Sequence, residues 1–180
     1  MRGSGHPTHR LLVALAALAA LVLPSGAAAA TLTSKNSAEK TLVEKINDVR
    51  ADHGLRALRE SSLLNSAATR HANSMGSRGY FRHELKKEGD WVSFSRWVHW
   101  YWPGPDYTTW TAGENLAWGA PDLSASRAIT MWLNSPSHRA NLLGDWKRVG
   151  VAVVHVSDPN RYYGDYGEVT IVVADFGNRT

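Results

Sequence analysis

Two stretches near the end of the chain, residues 149–156 and 169–176, are nearly continuous apolar runs rich in β-branched residues. Branched side chains pack well on a pleated surface and lose rotamer freedom in a helix, so both runs read as strands. A strand apolar on both faces can leave neither to water and needs cover on both sides. The arrangement that meets this demand is a central sheet between helical layers. Asp158-Pro159-Asn160 and Gly164-Asp165 supply turn formers between the two runs.

The segments upstream supply that cover. A first helix opens with Asn36 as N-cap and Glu39 three residues later, carries Leu42, Val43, Ile46, Val49 and His53 on one stripe, and ends at Gly54. The second has the cleanest periodicity, with Leu64, Ala67, Ala68, His71, Ala72 and Met75 on one face and a stop at Gly76. Its small residues predict close packing against a neighbour. A third helix follows Pro121 with Asp122 as N-cap and buries Ala125, Ala128, Ile129, Trp132 and Leu133. Ser135-Pro136 then opens a short helix that Gly144 terminates.

Before this fold comes a leader. Arg2 and Arg10 precede an uncharged stretch over residues 11–23, and Ala28 and Ala30 give a small-residue cleavage pattern before Thr31. Thirteen residues are short of the roughly 20 that span a bilayer, so residues 1–30 read as a secretory signal peptide and residues 31–180 as a single domain with no transmembrane segment. The expected location is extracellular, with release as the default because no anchor follows Gly177. The protein is expected to be a monomer. Without the leader, 18 basic side chains face 16 acidic ones, interleaved along the chain, which argues against nucleic acid as a partner. The chain has no cysteine, which excludes a disulfide scaffold, a thiolate nucleophile and a cysteine zinc site.

Common catalytic signatures fail as well. There is no G-x-S-x-G elbow, no G-x-G-x-x-G and no P-loop, and His83-Glu84 begins an H-E-x-x-H pattern that Lys87 breaks. The polar residues left in apolar or punctuated surroundings are His71, His83, Glu114 with Asn115, and His138. Four segments containing them occur in order: Arg70-His71-Ala72-Asn73-Ser74-Met75; Phe81-Arg82-His83; Ala112-Gly113-Glu114-Asn115-Leu116-Ala117; and Trp132-Leu133-Asn134-Ser135-Pro136-Ser137-His138-Arg139-Ala140-Asn141-Leu142-Leu143.

Together these segments resemble the CAP superfamily of cysteine-rich secretory proteins, antigen 5 and pathogenesis-related proteins, in its cysteine-free bacterial branch. The resemblance covers nearly all of residues 31–180 and implies an α/β fold, a three-layer α-β-α sandwich with a central, mostly antiparallel sheet and a cleft. The family's cleft typically holds two histidines and two acids. His83 and His138 take the places of the histidines and Glu114 that of one acid, while Ser135 stands where many members carry the second. Two neutral imidazoles and a carboxylate can hold Zn²⁺ or another divalent metal with one position left to water. Glu114 follows His83 by 31 residues and precedes His138 by 24, so only the resemblance says that the three meet. His138 at the third position of its helix is kept neutral by the positive end of the dipole. Ser135, as N-cap, is committed to backbone hydrogen bonds rather than nucleophilic attack.

The opposing reading of His83, Glu114 and His138 is a buried hydrogen-bonded network that pins loops to the sheet. His71, on an apolar stripe, reads as a packing histidine. Asn115 belongs with the ligand-facing candidates, although its amide suits backbone hydrogen bonding better. Six of the eight tryptophans fall between Trp91 and Trp118. There Phe94, Trp97, Val98 and Tyr101 share a helical face closed by Pro103-Gly104-Pro105, which buries Trp97. Trp91, Trp100, Trp102 and Trp110 lie off it and are candidates for a partly exposed wall that stacks on sugar rings or takes up a lipid tail. The favoured function is a binding module for a small amphipathic, lipid or cell-wall ligand. The alternatives are a Zn-dependent hydrolase or peptidase in which Glu114 is catalytic, and a structural protein of the envelope.

Overall fold

The computed structural model describes residues 37–157 and 162–180. The leader, Asn36 and the turn formers Asp158, Pro159 and Asn160 lie outside the described residues. Helix α1 is Ser37–Asp52, strand β1 Arg59–Glu60 and α2 Ser62–Arg78; a small hairpin, β2 (Leu85–Lys87) with β3 (Asp90–Val92), leads to α3, Phe94–Val98. Then come β4 (Trp110–Gly119), α4 (Ala125–Leu133), α5 (Pro136–Leu142), β5 (Arg148–Val156) and β6 (Val169–Arg179).

The main sheet has the order β1-β5-β6-β4, parallel only between β1 and β5. Both apolar runs are thus interior strands, and every residue of β6 from Val169 to Gly177 is buried. Alternation along them feeds two cores. Val149, Val151, Val153, Val172, Ala174 and Phe176 pack with α1, α4 and α5. Ala152, Ile171 and Val173 pack with α2 on the other face. The central sheet between helical layers is as the apolar runs imply, and the mostly antiparallel three-layer sandwich is as the family resemblance implies.

Helix α2 buries Leu64, Ala67, Ala68, His71, Ala72 and Met75 as its periodicity predicts. Its small residues let it sit directly on the sheet: a Cβ added at Gly150 of β5 would lie 2.1 Å from the backbone carbon of Leu64. The helix passes through Gly76 and ends at Gly79, whose φ of 68° takes the left-handed conformation of a C-cap. Sequence alone did not separate a glycine placed for close packing from one placed to end a helix.

Other local expectations change. The N-cap of α4 is Ser124, whose Oγ accepts from Arg127 N at 3.3 Å, rather than Asp122. On α1 the buried fourth position is Arg50 and not His53, which is exposed. Glu39 accepts from Val153 N at 3.3 Å and Asn65 Oδ1 from Val151 N at 2.9 Å. These side chains satisfy the edge of β5 beyond the short β1.

Strand β4 was not apparent from the sequence, because Gly113, Glu114 and Asn115 break its apolar pattern. It pairs with β6 along its whole length, from Trp110 opposite Arg179 to Gly119 opposite Thr170. That pairing carries Glu114 and Asn115 into the middle of the molecule.

Candidate functional site

Glu114 organises the site. It is 4% exposed, and its two carboxylate oxygens are both engaged: His71 Nδ1 lies 2.6 Å from Oε2 and His83 Nδ1 lies 2.8 Å from Oε1. An ionised carboxylate only accepts, so each imidazole presents its Nδ1–H to Glu114. The two rings then differ in access. His71, on the buried face of α2, is fully enclosed and its Nε2 has no hydrogen-bond partner. The side chain of His83 is 52% exposed. Its loop is fixed from below, because Trp97 Nε1 donates to His83 O at 2.9 Å and the Trp97 ring packs 4.7 Å from that of His71.

His138 lies on α5, half-buried and close enough to His83 for the two charges to interact. Asn115 and Asn141 hold α5 to β4. Asn115 Nδ2 donates to His138 O at 2.9 Å, and Asn141 Nδ2 donates to Glu114 O and Asn115 Oδ1, each at 3.0 Å. Asn115 is fully buried in this brace, so it is not ligand-facing, in keeping with the backbone role its amide suits.

The two cleft histidines are driven apart electrostatically. The hydrogen bond to Glu114 raises the pKa of His83, against a smaller opposing effect of burial, and the charges of Glu114 and Glu84 add to the rise. Burial lowers that of His138, and the neighbouring His83 lowers it further. His138 is thus disposed to be neutral, in the direction expected, through burial and a cationic neighbour. The pair is thus biased toward an imidazolium at His83 beside a neutral ring at His138.

The arrangement does not fit the metal site read from the sequence. A shared ion needs Glu114 to offer an oxygen beside His83 and His138, and both oxygens are covered by Nδ1–H groups. Among the described residues no three His, Asp or Glu side chains are grouped as a metal requires. The Glu114 side chain is 1% exposed and meets its surroundings through the two histidines it holds. Ser135 does occupy the N-cap of α5 but makes no side-chain capping bond; its Oγ lies 3.4 Å from Ser137 Oγ.

The tryptophans divide. Trp91 is 43% exposed and Trp100 48% exposed, whereas Trp102 is fully buried. Trp102 Nε1 donates to Thr111 O at 3.3 Å, and a Cβ at Gly177 would lie 2.7 Å from the Trp102 ring, so this ring is core and not wall. Trp110 is half-buried, 5.2 Å from the His99 ring. Trp97 and Trp132 are buried as expected. Both exposed rings carry cations: Arg82, next to His83, lies 4.5 Å from the Trp91 centroid and Lys86 5.3 Å, while Lys87 lies 5.2 Å from Trp100.

One buried contact and one buried group escaped the sequence reading. His71 is a packing residue, yet it is also the second donor to Glu114. Asp175 is fully buried on β6, directly opposite Glu114, and neither of its oxygens has a hydrogen-bond partner. A lone acid inside a strand that needs cover on both faces is the signal that could have found it.

The family model for CAP, the cysteine-rich secretory protein family, matches residues 43–176. An uncharacterized membrane protein of Bacillus subtilis (strain 168) is 32% identical over 120 residues, which cover 66% of this chain and 32% of that protein. The aligned part thus spans about a third of that curated relative. Among solved structures, an outer surface protein of Borrelia burgdorferi superposes with a TM-score of 0.65 at 24% identity, covering 82% of this chain and 96% of that one. An extracellular protein of Bacillus anthracis containing an SCP domain gives a TM-score of 0.60 at 24% identity, covering 79% of this chain and 40% of its own. At these identities both likenesses speak to the fold. Among the described residues no helix is long and apolar enough to cross a membrane.

Proposed function

The chain belongs to the cysteine-rich secretory protein (CAP) family, and from that premise we propose that it is an extracellular binding module for a small amphipathic ligand with an anionic head. The observation that carries this reading is the division of labour around Glu114. The carboxylate is buried and spent on two histidines, while the group it orients, His83, is half exposed. An imidazole held by its Nδ1–H to a carboxylate presents Nε2 to the cleft and is favoured as a cation. It is suited to pair with a carboxylate or phosphate. Trp91 and Trp100, exposed and with arginine or lysine lying over their rings, add apolar surface and positive charge for the remainder of such a ligand.

Hydrolysis is less well supported. Activating water takes a base within reach of it, and of the three candidates Glu114 is enclosed, His83 is disposed to be protonated, and His138 alone is left. The outer-surface and extracellular structural relatives, and the leader over residues 1–30, support an extracellular setting.

The test is titration with lysophosphatidylglycerol below its micellar concentration, read by tryptophan fluorescence. Saturable binding is expected, weakened at least tenfold, about 1.4 kcal/mol, by His83→Ala or by Trp91→Ala with Trp100→Ala. Equal binding by these variants and the parent protein, at unchanged Tm, contradicts the reading.

A further inference from the structure

The described residues line an open cavity of about 590 Å³, where the loop after α1 meets the starts of β1 and β5 and the end of β6. Its wall carries Arg50, Arg56, Arg59, Lys147, Arg148 and Arg179 against one acid, Asp145. None of these cations has a carboxylate within ion-pair distance among the described residues. Asp145 offsets part of the burial penalty on Arg50 at longer range.

Two placements concentrate positive charge at this cavity. Arg59 and Arg148 are direct register partners across β1 and β5, a like-charge juxtaposition that destabilises a sheet. Arg50 is 2% exposed. Its Nε donates to Arg56 O at 2.9 Å, and its Nη1 to Leu142 O at 2.8 Å and Gly144 O at 2.9 Å. Those bonds tie α1 to the end of α5 and account for a structural role. Nη2 is not among the buried side-chain atoms that lack a partner, so this nitrogen reaches solvent on the cavity side. A guanidinium whose other nitrogens are fixed on carbonyls holds that remaining donor in place for an anion in the cavity. The far wall is already rigid: Arg179 donates to Pro103 O and stacks 4.1 Å from the Tyr107 centroid and 4.6 Å from that of Trp102.

We propose that this cavity is a binding site for a phosphate-bearing ligand, held by Arg50, Arg59 and Arg148, with Tyr107 and Trp146 as a flat wall for the group that carries the phosphate. Phosphate gathers up to two charges and several acceptor oxygens on one centre, which matches converging planar guanidinium groups better than a carboxylate does. The volume lies within the range of small-molecule sites. The site shares no residue with the His83 cleft, so either can fail without the other.

Calorimetric titration of the secreted protein with inorganic pyrophosphate at low salt tests this. Saturable binding at one site is expected, weakened at least tenfold by Arg59→Gln and by Arg148→Gln, unchanged by His83→Ala, and falling as salt rises. Without ligand, neither arginine variant should lower Tm, because each relieves the facing like charges. A parallel arm uses phosphatidylglycerol vesicles. Retention that pyrophosphate reverses assigns the phosphate to a lipid headgroup, and pyrophosphate binding without retention assigns it to a soluble ligand; both uphold the site. Absence of saturable binding at millimolar pyrophosphate, equal affinity for citrate, or binding unaltered in both arginine variants overturns it.

Discussion

Glu114 on β4 stands directly opposite Asp175 on β6, so two carboxyl side chains share one face of the sheet at 4% and 0% exposure. The two are not equivalent. Glu114 accepts from two histidines, while Asp175 has no partner for either oxygen. Burial, aided by the charge of Glu114, raises the pKa of Asp175 well above its ordinary 3.8. The folded state therefore keeps a proton that the unfolded chain gives up, and stability drains away as pH rises from the ordinary value to the raised one. Asp175→Asn removes that dependence. Relative to the parent, the variant should gain about 1.4 kcal/mol between acid and alkaline pH for each pH unit of the rise. Urea unfolding from pH 4 to 8 reads this; parallel curves for the two proteins contradict it.

The tryptophan-rich segment should split into core and surface when tested by alanine. Trp102 is fully buried and Trp100 is 48% exposed. Trp102→Ala should cost about 3–5 kcal/mol, the range for removing a buried aromatic ring. Trp100→Ala should stay within about 0.5 kcal/mol. Equal losses in denaturant unfolding would place both rings in the same environment, against the structure.

Packing of α2 on the sheet depends on a missing side chain. At Gly150 an added Cβ would meet the Leu64 backbone carbon at 2.1 Å and Asn65 N at 2.2 Å, and backbone cannot move aside as a side chain can. Gly150→Ala should therefore destabilise by about 3 kcal/mol or more, at the upper end for overpacking. A melting temperature within a few degrees of the parent would contradict that contact.

The layers were legible because runs and stripes are local signals: residues 149–156 and 169–176 had to be interior strands, and Leu64 to Met75 had to be one buried face. Strand β4 was not, since Gly113, Glu114 and Asn115 erase its alternation. The pair His83 and Glu114 was reached only through family resemblance, and the two lie in direct contact at 2.8 Å. His71 and Asp175 were hidden for another reason. Each sits inside an apolar pattern, and a pattern shows that a residue is buried without showing what it faces across 43 residues or another strand. The basic cavity was hidden for the same reason, because charges interleaved along the chain need not be interleaved in space.

The most direct test of the account is the titration of individual histidines by ¹⁵N NMR in the parent protein and in Glu114→Gln. Both rings have an ordinary value of 6.5, and the structure raises His83 and lowers His138. His83 therefore contributes stability that is complete below its unfolded pKa and is lost as pH rises through its folded one. His138 favours its neutral form, so its contribution is lost as pH falls below the ordinary value through the lowered one. In the parent, His83 should titrate above 6.5 with its proton on Nδ1 when neutral, and His138 below 6.5. In Glu114→Gln, His83 should fall toward or below the ordinary value. Two histidines titrating together near 6.5, or a His83 titration that Glu114→Gln leaves in place, would contradict the claim that a buried carboxylate sets the charge of the cleft.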